Sequence, residues 1–193
     1  MGSSLQNQMT GLATKIDKIS EWSGRFISWL TLLMVLLVFV IVIMRYLFNM
    51  GSIQLQETVT YLHGMVFLLG AAYTLQQDKQ VRVDVFYSSM SHKNRARVDL
   101  IGTLLLLFPV CIYIFSMSLD YVLLSWRINE ASGETGGLPS LYLLKSLLLI
   151  MPLMMMLQGL ANLIRYISFL FATGPSPYLK SNSKSNPSSG EMK

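Results

Sequence analysis

The side chains able to do chemistry in this chain are few and widely spaced. Arg45 and Glu57 flank a short polar stretch, so if the residues between them turn back, their opposite charges meet at similar height in a charge-assisted pair. His63 and His92 are the only imidazoles and Cys111 is the only thiol. One cysteine excludes an intrachain disulfide or a thiolate metal cluster. A haem on His63 would want a second axial ligand, and His92 lies in a basic segment away from it. The reading left for His63 is a helix-interface histidine hydrogen-bonded to a neighbouring helix. Glu130 and Glu134 have no base beside them; their expected use is contact with an outside protein. No nucleophile–base pair and no cluster of His, Cys and carboxylates forms, so an enzyme is not expected, nor any cofactor or metal. A small homodimeric carrier or channel using Glu57 as its coupling carboxylate is the alternative. It would want that group near a membrane midplane, whereas Glu57 sits at the edge of an apolar run.

The elements that must position these residues are legible from charge. Of 193 residues, 52% are hydrophobic and only 13% charged, about half the usual share for a soluble domain. Residues 26–44, 58–77, 100–119 and 146–164 contain no Asp, Glu, Lys or Arg at all. A helix of that length covers roughly 30 Å, the thickness of bilayer hydrocarbon. The run from Phe26 to Met44 is apolar on every face, unlike a soluble amphipathic helix. It is also too long for a cleaved signal peptide, and no small-residue site follows it. The expected fold is therefore all-α: an integral membrane four-helix protein with spans at about 26–48, 56–77, 98–123 and 141–168. Within it, 1–20 is an amino-terminal segment, 21–172 the membrane domain and 173–193 a disordered tail rich in Ser, Asn, Pro and Lys.

Twelve of the fifteen Lys and Arg residues fall before the first span, between the second and third, or after the fourth; only Arg45, Arg127 and Lys145 fall on the other side. The positive-inside rule then places both termini in the cytoplasm. The net charge of +5 reports this orientation, and because the basic residues flank apolar spans, no nucleic acid partner is expected. The short connection near Asn49 makes the first two helices an antiparallel hairpin. Between helices 2 and 3, Val81, Arg82, Val83, Asp84 and Tyr87 alternate apolar and polar, which predicts an interfacial segment against membrane lipid. Ser91 and Ser140 are placed to cap the third and fourth helices.

Candidate packing residues follow from helical spacing. Glu57, Tyr61, Gly64 and Leu68 share one face of the second helix, and Gly70 with Ala71 permits close backbone approach, within the chain or to a partner. Gln158 and Asn162, one turn apart, suit hydrogen bonds between helices or to another subunit. Pro109 and Pro152 predict kinks, and Met151, Met154, Met155 and Met156 an adaptable apolar surface.

Taken in order, Arg45-Tyr46 with Asn49, Glu57 with Tyr61, Gly70-Ala71-Ala72-Tyr73, and Val81-Arg82-Val83-Asp84 followed by Tyr87 and a basic run through Arg97 make the chain resemble a known family. It is the small membrane subunit (DctQ-type small permease) of tripartite ATP-independent periplasmic transporters. The resemblance covers roughly residues 15–172. Gly136-Gly137-Leu138-Pro139 with Lys145, and Leu157-Gln158-Gly159, look like the branch labelled mannitol/chloroaromatic, and Gln80 departs from the His common before the Val-Arg-Val-Asp stretch. The resemblance implies a multi-pass subunit of the bacterial inner membrane, in a secondary transporter that imports an organic anion. A periplasmic substrate-binding protein would deliver the anion, and a large membrane transport subunit would carry it with a cation, usually sodium. This subunit would brace the large one and bind neither ion.

Overall fold

The computed structural model describes residues 2–77 and 90–171, and all the regular secondary structure in them is helical. Four helices are long and apolar enough to cross a membrane. They are α1 (Gly2–Leu47), α2 (Ile53–Gln76), α3 (His92–Arg127) and α4 (Leu141–Phe171). Val81, Arg82, Val83, Asp84 and Tyr87, expected as an interfacial segment, lie outside the described residues, as does the expected tail from 173 onward.

The 46 residues of α1 extend it to about 69 Å, more than twice the hydrocarbon thickness. Its apolar block marks where it can cross a membrane, whereas the helix itself starts far earlier, because nothing between Gly2 and Phe26 breaks it. Trp22, stacked on Phe26 at 5.9 Å, and exposed Tyr46 stand about 36 Å apart along it, the spacing of two interfacial aromatic belts. Asn49, in the left-handed region at φ 51°, stops α1 and turns the chain. Ser52 then caps α2 by accepting from the Leu55 amide.

Ser91 caps α3 as its hydroxyl accepts from the Asn94 amide. The expected break at Pro109 takes a specific form. Proline offers no N–H and its ring crowds the carbonyl four residues back. The turn in front of it, Thr103–Leu107, is wound as a π-helix, with the Phe108 amide reaching the Thr103 carbonyl. At the far end Asn129 (φ 47°) donates to the Trp126 carbonyl and Glu130 to that of Ser125, a Schellman closure.

The last helix is the hub: α4 packs on α1, α2 and α3, whereas among the described residues α3 has no comparable contact with α1 or α2. Lipid is as apolar as leucine, so close packing and hydrogen bonds must hold such helices together. Two glycines make that approach possible. A Cβ on Gly159 would stand 2.8 Å from the Leu107 side chain in the π turn, and one on Gly24 2.6–2.8 Å from three ring carbons of Tyr73. Pro152, within α4, is fully buried at the bundle centre.

Candidate functional site

The charged side chains of the described residues gather toward the two ends of the bundle. At the end bearing the 48–52 and 128–140 connections, Glu57 lies one turn into α2 with its carboxylate turned into the second of these loops. The Leu138 amide donates to Oε2 at 2.6 Å, and the Ser132 hydroxyl donates to Oε1. Gly137 lets this happen, since a Cβ there would fall 2.8 Å from Oε2 and 2.6 Å from the Ser132 hydroxyl. Gly136, at φ 80°, supplies the left-handed turn beside it. The loop is tied a second time where Lys145 bonds Glu130 at 2.5 Å and rests 3.9 Å above the Tyr121 ring. That ammonium holds the Glu130 carboxyl below its ordinary 4.5. Glu134, by contrast, is exposed at the loop tip, so of the two acidic residues expected to meet an outside protein, one is already engaged.

The expected Arg45–Glu57 pair does not form. Both oxygens of Glu57 are occupied by loop donors, and among the described residues Arg45 pairs with no carboxylate. Instead the exposed Arg45 lines an open cleft of about 470 Å³ at the tip of the hairpin, with Asn49, Ser52 and Gln56. The carboxylate found its partners in a backbone amide and a hydroxyl across a gap of some eighty residues in sequence, which pattern alone does not reveal.

At the opposite end, Gln158 is fully buried and every polar atom of its side chain is used. Its Oε1 accepts from the Ser20 hydroxyl at 2.7 Å, and its Nε2 donates to Asp17 Oδ1 at 3.2 Å and to Asn162 Oδ1 at 3.5 Å. Arg165 closes the network by pairing with Asp17 Oδ2 and donating to Asn162 Oδ1 at 3.0 Å. Gln76 of α2 adds a bond to the Asp17 carbonyl at 2.9 Å. Three helices are thus stitched together, and the predicted glue residues act inside this chain. The Asp17–Arg165 pair was not anticipated. Its signal was a cation directly after the last apolar block and a carboxylate some two turns ahead of the first, on helix ends that lie on the same side.

The remaining expected positions divide. Tyr61 and Gly64 lie on the α2 face toward the bundle, Gly64 with its Cβ position 3.0 Å from Leu144. Tyr61 carries a buried hydroxyl that has no bonding partner among the described residues. Ala71 is half-buried, while its neighbour Ala72 is the fully buried residue; Gly70 faces open space. His63 differs from expectation most. It is exposed, stacked on Phe67 at 6.4 Å, and among the described residues hydrogen-bonds no neighbouring helix, because helical phase turns position 63 away from the face that carries Gly64. No group of three or more His, Cys, Asp or Glu placed to hold a metal ion occurs among the described residues.

Among the described residues the arrangement offers packing surfaces and charge gathered at the two ends. The family model described as tripartite ATP-independent periplasmic transporters, DctQ component, matches residues 34–169. No curated protein and no solved structure matches the chain.

Proposed function

The chain belongs to the DctQ component family of tripartite ATP-independent periplasmic transporters, and from that premise we propose that it is the scaffold of a cation-coupled importer of organic anions. It is a multi-pass membrane subunit of a transport system. In this reading it lies in the bacterial inner membrane with both termini in the cytoplasm. A periplasmic binding protein presents a carboxylate substrate to the 128–140 side, and the large membrane subunit carries it inward. Sodium, the expected coupling ion, belongs to the large subunit.

One observation carries the reading: the charged side chains lie toward the ends, and the bundle between them is closed with Leu62, Ala72, Cys111, Leu147 and Pro152. A carrier needs dehydrated ligands for its ion near mid-depth, and those are usually carboxylates or unwound backbone. Neither is found in the described helices at that height, the single π turn remaining fully helical. The Glu57-driven homodimeric carrier is disfavoured because each oxygen of this carboxylate already accepts from the 128–140 loop, one from the Leu138 amide and one from the Ser132 hydroxyl.

Reconstitution tests the proposal. Proteoliposomes with this subunit alone should take up no substrate, those with the large subunit and binding protein added should do so, and omitting this chain should abolish the uptake. Uptake by this chain alone would refute a scaffold role.

A further inference from the structure

Lipid offers no hydrogen bonds, so helix faces turned away from a membrane bundle should be apolar. α1 follows the rule, its exposed side chains from Leu32 to Val42 being Leu, Val and Phe. α2 does not. Its exposed residues after the first turn are Gln56, Thr60, His63 and Phe67, at steps of four, three and four, which place them on one stripe. Three of the four are polar. The stripe climbs to the middle of the span, since His63 stands about 15 Å from the Ile53 end of a helix roughly 36 Å long.

Thr60 meets part of its need internally, donating to the Gln56 carbonyl at 3.2 Å. His63 meets none among the described residues: a neutral imidazole has one donor and one acceptor, and the contact found for it there is the Phe67 ring. Above the stripe, Gln56 and Arg45 share the walls of the hairpin cleft, so polar surface continues from the loop end to mid-depth. Below Phe67 the next step of the stripe is Gly70, whose Cβ position meets nothing within 4 Å. A partner backbone can therefore come close.

We infer that this α2 stripe, Gln56–Thr60–His63–Phe67 with Arg45 at its head, is where the large membrane subunit docks, its groups within the bilayer hydrogen-bonding His63. The inference rests on the scaffold reading and assigns it a face. Lipid does not suit this surface, because hydrocarbon would leave the imidazole unsatisfied at the most apolar depth. The exposed stretch of α3 from Leu104 to Ile112 suits lipid instead, and the exposed Ser116 and Asp120 lie beyond it toward the Arg127 end.

The test uses the full chain, tagged and co-expressed with the large subunit. The triple variant Gln56→Leu, Thr60→Val, His63→Leu makes α2 more lipid-compatible, so it should insert at wild-type levels. A hydrogen bond in a membrane is worth about threefold in association, and recovery of the large subunit should fall roughly 10-fold or more. The triple Leu105→Ala, Leu106→Ala, Val110→Ala on α3 should leave recovery unchanged. A photo-crosslinking residue at position 63 should yield an adduct with the large subunit, and one at 110 should not. Unchanged recovery in the α2 triple, or an adduct at 63 with lipid or with a second copy of this chain, overturns the assignment while the scaffold reading survives. If the wild-type chain, correctly inserted, recovers no large subunit, both fall.

Discussion

Replacing Gln158 by Leu probes the network that joins α1 to α4. The new side chain matches the old in size and suits an apolar bundle, so no large cavity opens. What is lost is an acceptor for the Ser20 hydroxyl and a donor to Asp17. Ser20 is only 3% exposed, and a buried hydroxyl without a partner costs about 1–3 kcal/mol. Part is recovered when the hydroxyl swings back to the carbonyl one turn earlier, as serines in helices do. The net loss should be about 1–2 kcal/mol, or roughly a 5- to 30-fold fall in the ratio of folded to unfolded protein. Reversible unfolding in mixed micelles measures it. Ser20→Ala in the same background removes the stranded hydroxyl, so the double variant should be more stable than the two single losses summed, by about 1 kcal/mol. Gln158→Leu as stable as the wild type, with strict additivity in the cycle, would show that the bonds drawn between these helices contribute nothing.

The other predictions concern close approaches and the loop. Gly137→Ala should push the Glu57 carboxylate off the Leu138 amide, raising hydrogen exchange at that amide about 10-fold or more; unchanged protection would refute the contact. Gly24→Ala should destabilise the α1–α2 hairpin because the Tyr73 ring cannot yield, whereas Gly159→Ala should be mild, since the end of the flexible Leu107 side chain can move, and Gly159→Ile should detach α3; unfolding midpoints compare the three. The Glu130 carboxyl titrates lower in the folded protein than in the unfolded chain, so its contribution is complete above 4.5 and fades as pH falls through the lowered value. Emission of Trp126, which packs edge-on against Tyr142 of the helix that carries Lys145, should thus stay flat from about pH 8 to 5 and change only in stronger acid.

Four apolar blocks made the helices visible in advance because exclusion of charge from hydrocarbon acts on composition, and composition is local. The same rule says nothing about where a helix starts outside the membrane, which is why α1 runs back to Gly2 far beyond its apolar block. Gln158 and Asn162 were legible as glue from spacing and polarity, yet their partners, Ser20, Asp17 and Arg165, depend on which helices become neighbours. Glu57 was legible as a charge needing a partner at the end of a hairpin. The nearest cation in sequence was Arg45, and a loop amide took its place because desolvated N–H groups compete well with a cation that water can reach. His63 was assigned to an interface, and the structure leaves it on the outward side, where periodicity cannot distinguish bundle from surroundings.

That α3 packs mainly on α4 among the described residues has a consequence for how the chain is made. Helices leave the ribosome in order, so the third must wait in the bilayer without its main docking surface until the fourth has been synthesised and released. A stop codon between Arg127 and Leu141 would leave the hairpin and the third helix joined by their connection but without the helix on which both pack. Quality-control proteases would meet them as such, and supplying the missing last helix as a separate peptide should rescue both together.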